Sequence, residues 1–285
     1  MSENERHFAR ADHEAAKRLA NTESPFTIEV EFLDGLTDPQ KNAFKQAADR
    51  WVKVIVGDLP DIALDDGRIV DDLLIQAEGK PIDGVGIVLG QAGPTGLRPN
   101  PGPTEFIPAT GLMSFDTADL ASMEANGTLV DVITHEMGHV LGIGTIWDLK
   151  HLLRGAGTSN PTFIGRAAMA EYARLVGTSA PRRVPVENTG DPGTRDAHWR
   201  ESVFANELMT GFVGRAGNPL SRLTVASLAD LGYQVDLDAA DPYTLPNHLE
   251  LAESGVLRAR IAPIDVGVMR PTSPEILPAG SLQAA

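Results

Sequence analysis

The segment Thr134-His135-Glu136-Met137-Gly138-His139-Val140-Leu141-Gly142 constrains this chain more than any other stretch. Residues four apart lie on one face of an α-helix. His135 and His139 can therefore direct two imidazole nitrogens at one metal ion, with Glu136 beside them to take a proton from a metal-bound water. Leu129, Val130, Val132 and Ile133 precede the motif, and Val140, Leu141 and Ile143 follow it. This spacing predicts a largely buried helix. Two histidines, Glu136 and Asp131 are costly in such a helix unless something satisfies them, and a metal ion would. Asn126 or Thr128 is placed to cap the helix, and Gly142 and Gly144 to end it, because glycine accepts the left-handed conformation. The plainer alternative is a buried helix whose histidines merely pack or hydrogen-bond.

A catalytic zinc site needs three protein ligands and one open position. The chain has seven histidines, and those outside the motif are His7, His13, His151, His198 and His248. In the compact metzincin pattern the third His falls three residues after the glycine, a position occupied here by Thr145. His151 is the nearest later candidate, though no motif supports it. Glu171 could serve from a second helix, but a site of that type leaves Gly142 unexplained. His198, in Asp196-Ala197-His198-Trp199-Arg200-Glu201, is the better candidate, with a loop histidine beside a buried Trp as the plainer reading.

Taken together, His-Glu-Met-Gly-His-Val-Leu-Gly, a long insertion, His198-Trp199-Arg200-Glu201 and Asn206-Glu207-Leu208-Met209-Thr210-Gly211 resemble the leishmanolysin group of metzincin peptidases. The likeness extends more loosely from Pro25 to Tyr243. It implies zinc bound by His135, His139 and His198, Glu136 as general base, and Met209 in a methionine turn beneath the metal. It implies an α+β, metzincin-like fold of two lobes, with a twisted mixed sheet, helices above the cleft, and a mostly helical or irregular lower lobe. The implied activity is endopeptidase cleavage of polypeptide substrates. Two departures stand out. The chain has no Cys, whereas the eukaryotic members are disulfide-rich, so it looks like a compact bacterial relative. Gly211 follows Met209 at the second position, so the extra tyrosine ligand of astacins and serralysins is not expected.

The formal net charge of −15 disfavours nucleic acid and anionic membranes, which attract basic surfaces. Structural calcium at acidic loops stays open, without assigned ligands. The lack of Cys excludes disulfides, a thiolate ligand and a cysteine-based latency switch. No apolar run is long enough to span a membrane, and the charged first residues lack the apolar core of a secretory signal. Localisation and oligomeric state are not legible: the resemblance implies export, and a cytoplasmic location stays open.

Five segments are expected: an N-terminal arm (1–24), an N-terminal lobe ending in the zinc helix (25–143), an insertion (144–197), a lower lobe with third ligand and methionine turn (198–243), and a C-terminal extension (244–285). Residues 26–33 alternate as a half-buried strand. Asp38-Pro39 opens a helix with an apolar stripe of Phe44, Ala48, Trp51, Val52 and Ile55, ended by Gly57. Residues 72–77 and 85–90 read as strands, Gly93 to Gly111 as a Pro/Gly-rich loop, and 112–116 as a short strand. The resemblance implies that Gly111, Leu112, Met113, Ser114 and Phe115 form the sheet edge above the cleft, on which an extended substrate pairs, a plain structural strand being the alternative. In the insertion, residues 164–176 read as a helix and Asp191-Pro192-Gly193 as a turn. Residues 220–231 read as a helix ended by Gly232. Residues 255–264 are strand-like, before a loose tail. Two other functions compete with the peptidase: a catalytically silent zinc-bearing peptide-binding protein, and a zinc hydrolase of a non-peptide amide.

Overall fold

Alternating apolar residues and a few close backbone approaches assemble one mixed sheet, seen in a computed structural model that describes residues 4–86, 88–99, 101–190, 193–211, 217–247 and 269–283. Its strands are β1 (Glu5–Arg10), β2 (Thr27–Phe32), β3 (Leu73–Lys80), β4 (Gly90–Leu97), β5 (Pro108–Asp116), β6 (Met269–Pro271) and β7 (Glu275–Ile276). In space they run β1-β2-β3-β5-β4-β6, with β7 also on β4. β2, β3 and β5 are parallel, while β1 and β4 run antiparallel to their neighbours β2 and β5. β6 and β7 pair with β4 in parallel. The fold is thus mixed α+β, as the resemblance implies.

The structure corrects several expectations. The N-terminal arm supplies a strand, β1, which pairs along its whole length with β2. β2 is buried on both faces, because Arg6, Arg68 and Gln76 cover Glu31 on the outer side. Residues 85 and 86 form a turn, and the strand begins only at Gly90. The start of the Pro/Gly-rich loop, Gly93 to Leu97, belongs to strand β4, and its end, Pro108 to Gly111, to β5. The glycines of β4 sit where side chains have no room: a Cβ on Gly90 would lie 2.1 Å from the Ser114 carbonyl oxygen. Pro94 lies beside a register shift, where a missing N–H is tolerated. β5 is nine residues long and lies inside the sheet between β3 and β4. Gly111 to Phe115 are therefore not an edge, because both sides of their backbone are already paired. Part of the tail, β6 and β7, joins the sheet on the far side of β4. Residues 255–264, Asp191 and Pro192 lie outside the described residues.

Helix α1 (Asp38–Val54) begins one residue earlier than the Asp-Pro signal suggests. Thr37 is its cap, in a reciprocal capping box with Gln40, and Pro39 sits in the first turn. It ends at Ile55, which turns extended and bridges to Val235, so Gly57 is not its stop. Its apolar stripe is fully buried. Phe44 packs edge-on to Phe32 and Phe115, tying α1 to the sheet. After α2 (Thr117–Asn126) comes α3 (Leu129–Val140), the helix with the His-Glu-x-x-His motif. Trp51 of α1 donates its indole N–H to the Thr134 carbonyl at 2.9 Å. Removing that ring would cost about 3–5 kcal/mol.

Beyond α3 the chain forms three short paired strands (153–154, 162–163, 184–185), α4 (Arg166–Leu175) and α5 (Arg222–Leu231). Asp230 of α5 accepts the Ala167 and Ala168 N–H groups and so caps α4 from outside. Trp147 and Phe163 pack on Trp199 at 4.8 and 5.5 Å between ring centroids. Among the described residues, no helix is long and apolar enough to cross a membrane.

One carboxylate at the end of β5 organises the upper loops. Asp116 accepts N–H groups from Ile82, Asp83, Gly84 and Ala118, and caps α2. Burial acts to raise its pKa, but these four donors hold it below the ordinary value of 3.8. A group with a depressed folded pKa stabilises above its unfolded value and loses that contribution as pH falls through the folded one. Asp116→Asn is expected to lower unfolding free energy by about 1–3 kcal/mol at neutral pH. In urea titrations the gap from wild type should stay constant down to about pH 4 and close below it. A gap that widens on acidification would refute this account.

Candidate metal centre

All of α3 from Asp131 to Val140 is buried, so each polar side chain on it needs a partner. Asp131 finds protein partners, namely Arg50 of α1 and the backbone and side chain of Asn218. It owes nothing to a metal, contrary to the expectation that a metal would satisfy the whole polar set. Thr128 takes the cap position without a side-chain cap bond, while Asn126 Oδ1 accepts the Thr128 N–H at 3.0 Å.

His135 and His139 project from one face, and His198 meets them there. The three Nε2 atoms lie 2.9–3.1 Å from one another. Every Nδ1 is directed at a backbone carbonyl: His135 at Leu208 (2.7 Å), His139 at Ile143 (2.8 Å) and His198 at Thr194 (2.8 Å). A carbonyl only accepts, so each Nδ1 carries the proton and each Nε2 presents a lone pair. Three lone pairs face one another with no proton between them. Burial pushes the imidazole pKa of His135 down to about 3 and of His139 to about 4, and lowers that of His198 well below its usual value. Protonation therefore does not relieve the repulsion, whereas a cation would. Three neutral imidazoles suit zinc, and these residues together could hold a metal ion.

Gly142 and Gly144 make this convergence possible. Both are left-handed, at φ +104° and +76°. The turn at Gly142 brings the Ile143 carbonyl back to His139. At Gly144 a Cβ would lie 2.0 Å from the Ala197 carbonyl oxygen, so only glycine lets the segment bearing His198 approach. Thr145 binds the His139 carbonyl instead of supplying a ligand.

Glu136 lies on the same helix with 5% exposure, and one carboxylate oxygen, Oε2, is buried without a hydrogen-bond partner. Burial raises its pKa to about 8. An unsatisfied buried carboxylate is costly and is the kind of exception that calls for a functional reason. The other two candidates for third ligand stand elsewhere: Glu171 pairs with Arg174 and Arg222, and His151 is exposed. Met209 approaches Gly138 on the motif helix. A Cβ there would lie 2.7 Å from the sulfur and 3.0 Å from the Trp51 ring.

Among the described residues the other metal-compatible group is Asp58, Asp71 and Asp72. Asp72 already accepts the Thr27 and Leu59 N–H groups, and burial raises its pKa. Calcium gains no support from this cluster. The carbonyls of Ile143, Thr194 and Leu208 were not legible as functional, because any residue type supplies a carbonyl. Glu207 was legible only as part of a motif.

Comparison with known proteins agrees with this geometry. A 133-residue stretch is 27% identical to a leishmanolysin homolog of Crithidia fasciculata, covering 44% of this chain and 20% of that protein. A 142-residue stretch is 29% identical to leishmanolysin of Leishmania donovani, covering 47% of this chain and 24% of that protein. The chain thus matches about a fifth to a quarter of the length of these relatives. The family model for leishmanolysin (Peptidase_M8) matches residues 104–250, a span that holds the three histidines, Glu136 and the turn with Met209. With more than half of its sequence matched, this chain belongs to the leishmanolysin family.

Proposed function

We propose that this chain is a zinc-dependent endopeptidase in which His135, His139 and His198 hold the metal and Glu136 is the general base. One observation carries the reading: three Nε2 lone pairs, fixed by carbonyl-bound Nδ1 protons, converge beside a buried carboxylate oxygen that has no partner. A zinc ion held there would acidify a water molecule and polarise the carbonyl to be attacked. Glu136 Oε2 takes the proton of the attacking water and delivers it to the leaving amine nitrogen. Its missing protein partner leaves that oxygen available for the task. The carbonyls of Leu208, Ile143 and Thr194 hold the imidazoles in one tautomer and orientation. Met209 forms the floor, against Gly138.

The two-lobed division goes with this reading. The sheet and α3 form one side, and the segment from His198 through α5 forms the other. We keep 144–197 as an insertion, anchored by Trp147 and Phe163 on Trp199. The substrate is a polypeptide. Its pairing strand is not β5, which has no free edge.

The reading is tested by elemental analysis together with cleavage of casein or a quenched peptide. Wild type and Glu136→Ala are each expected to hold one zinc, with chelator-sensitive cleavage falling at least about a hundredfold in the variant. Wild-type turnover by zinc-loaded Glu136→Ala would remove Glu136 from its role. Zinc in both with cleavage in neither would favour a binding protein. His198→Ala is expected to lose most of its zinc affinity, and unchanged affinity would return the third ligand to Glu171 or His151. Gly138→Ala is expected to lose about 1–3 kcal/mol of stability by overpacking against Met209 and Trp51 and to loosen the metal. Full stability and affinity would show that the floor yields freely.

A further inference from the structure

We infer that Glu207 is a positioning residue that fixes the aim of His135 and His198 through the turn between them. The inference rests on the metal-site reading above. Glu207 is 1% exposed. Its Oε2 accepts the Met209 N–H at 2.6 Å. Its Oε1 accepts the Ser221 N–H at 3.1 Å, the Ser221 hydroxyl at 2.6 Å and the Thr224 hydroxyl. These donors are all neutral.

Two of these donors, the Met209 N–H and the Thr224 hydroxyl, lead towards a histidine. The Met209 N–H bond closes the turn whose Leu208 carbonyl receives His135 Nδ1. The Met209 carbonyl accepts the Trp199 N–H at 2.9 Å, one residue after His198. Thr224 Oγ1 donates to Glu207 and accepts the Trp199 indole N–H at 2.8 Å. One carboxylate therefore locks the turn behind His135 and both ends of the residue that follows His198. Glu207 meets backbone and hydroxyl groups, so it acts through them and not on a reacting atom.

A plain structural role explains this less well. Burying a carboxylate without a cation is unfavourable, and burial does raise its pKa. Ser221 caps α5 with its own hydroxyl, so the helix does not need Glu207 as a cap. What the carboxylate adds is convergence: acceptor-only oxygens that tie the turn at Met209 to the start of α5 at one point. An amide of the same size cannot do this, since its NH2 group would face either the Met209 or the Ser221 N–H.

The test compares wild type, Glu207→Gln and Asp230→Asn on the full chain. Asp230 caps α4 from the same helix, α5, and serves as the control for stability alone. Zinc affinity is read by competition with a chromophoric chelator, ligand geometry by the visible absorption of the cobalt(II)-substituted protein, and stability by thermal melting. Glu207→Gln is expected to weaken zinc by about ten- to a hundredfold and to change the cobalt spectrum, while Asp230→Asn changes only the melting temperature. Wild-type affinity and spectrum in Glu207→Gln, with melting lowered as in the control, would overturn the inference. Should Glu207→Gln fail to fold, Thr224→Val is read in the same way, because it removes both the donor to Glu207 and the acceptor for Trp199. Absence of zinc from wild type would overturn the metal reading itself and this inference with it. Zinc-replete wild type with an unaffected variant would overturn the inference alone.

Discussion

Three imidazoles whose Nδ1 protons are committed to backbone carbonyls form the constraint on which the rest of the structure depends. With those protons fixed, three lone pairs face one another at 2.9–3.1 Å in a buried site. Burial keeps the rings neutral. The arrangement is unfavourable unless a cation shares the three nitrogens, and stabilising once one does, because metal binding is then coupled to folding. The surrounding features follow from this: left-handed turns at Gly142 and Gly144, a carbonyl delivered by the turn at Leu208, and a small residue at Gly138 where Met209 approaches.

Distant segments are brought to this point by apolar packing. Trp51 joins α1 to the motif helix, while Phe44 joins α1 to the sheet. Residues 144–197 make a long connection between the second and third histidines. Loop-closure entropy grows only slowly with length, and this segment offsets part of it by packing Trp147 and Phe163 on Trp199, next to His198. The second set of polar bonds then sharpens what packing places. Glu187 accepts the Asn188, Thr189 and Glu201 N–H groups, and so holds the loop before and after His198. Glu207 does the same for the turn that follows.

The helical elements were legible because each carries its information locally. The stripe from Phe44 to Ile55, the stop at Gly232 and the glycines after His139 depend on a period of 3.6 residues or on one backbone conformation. The sheet was less so. β4 reads as a Gly/Pro loop, yet it is a strand, because its glycines fit under neighbouring backbone and its pairing partners are remote. β5 reads as an edge for the same reason in reverse: nothing in residues 111–115 reveals that 90–97 will pair beside them. The first ten residues lack a strong pattern, and β1 forms only because β2 offers a free side.

The sequence by itself determined the chemistry of the centre. His135, Glu136 and His139 are placed by helical periodicity, a short-range property, and the His198 and Met209 segments carry enough side-chain identity to be matched to a family. Tertiary structure alone decided which of Glu171, His151 and His198 meets the other two histidines, and which carbonyls set their tautomers. It also decided that β5 lies inside the sheet, and that Asp131 is satisfied by Arg50 while Glu136 is left with a bare oxygen. These outcomes depend on contacts between residues tens to hundreds of positions apart, and on backbone groups that every residue shares, so no local pattern could encode them.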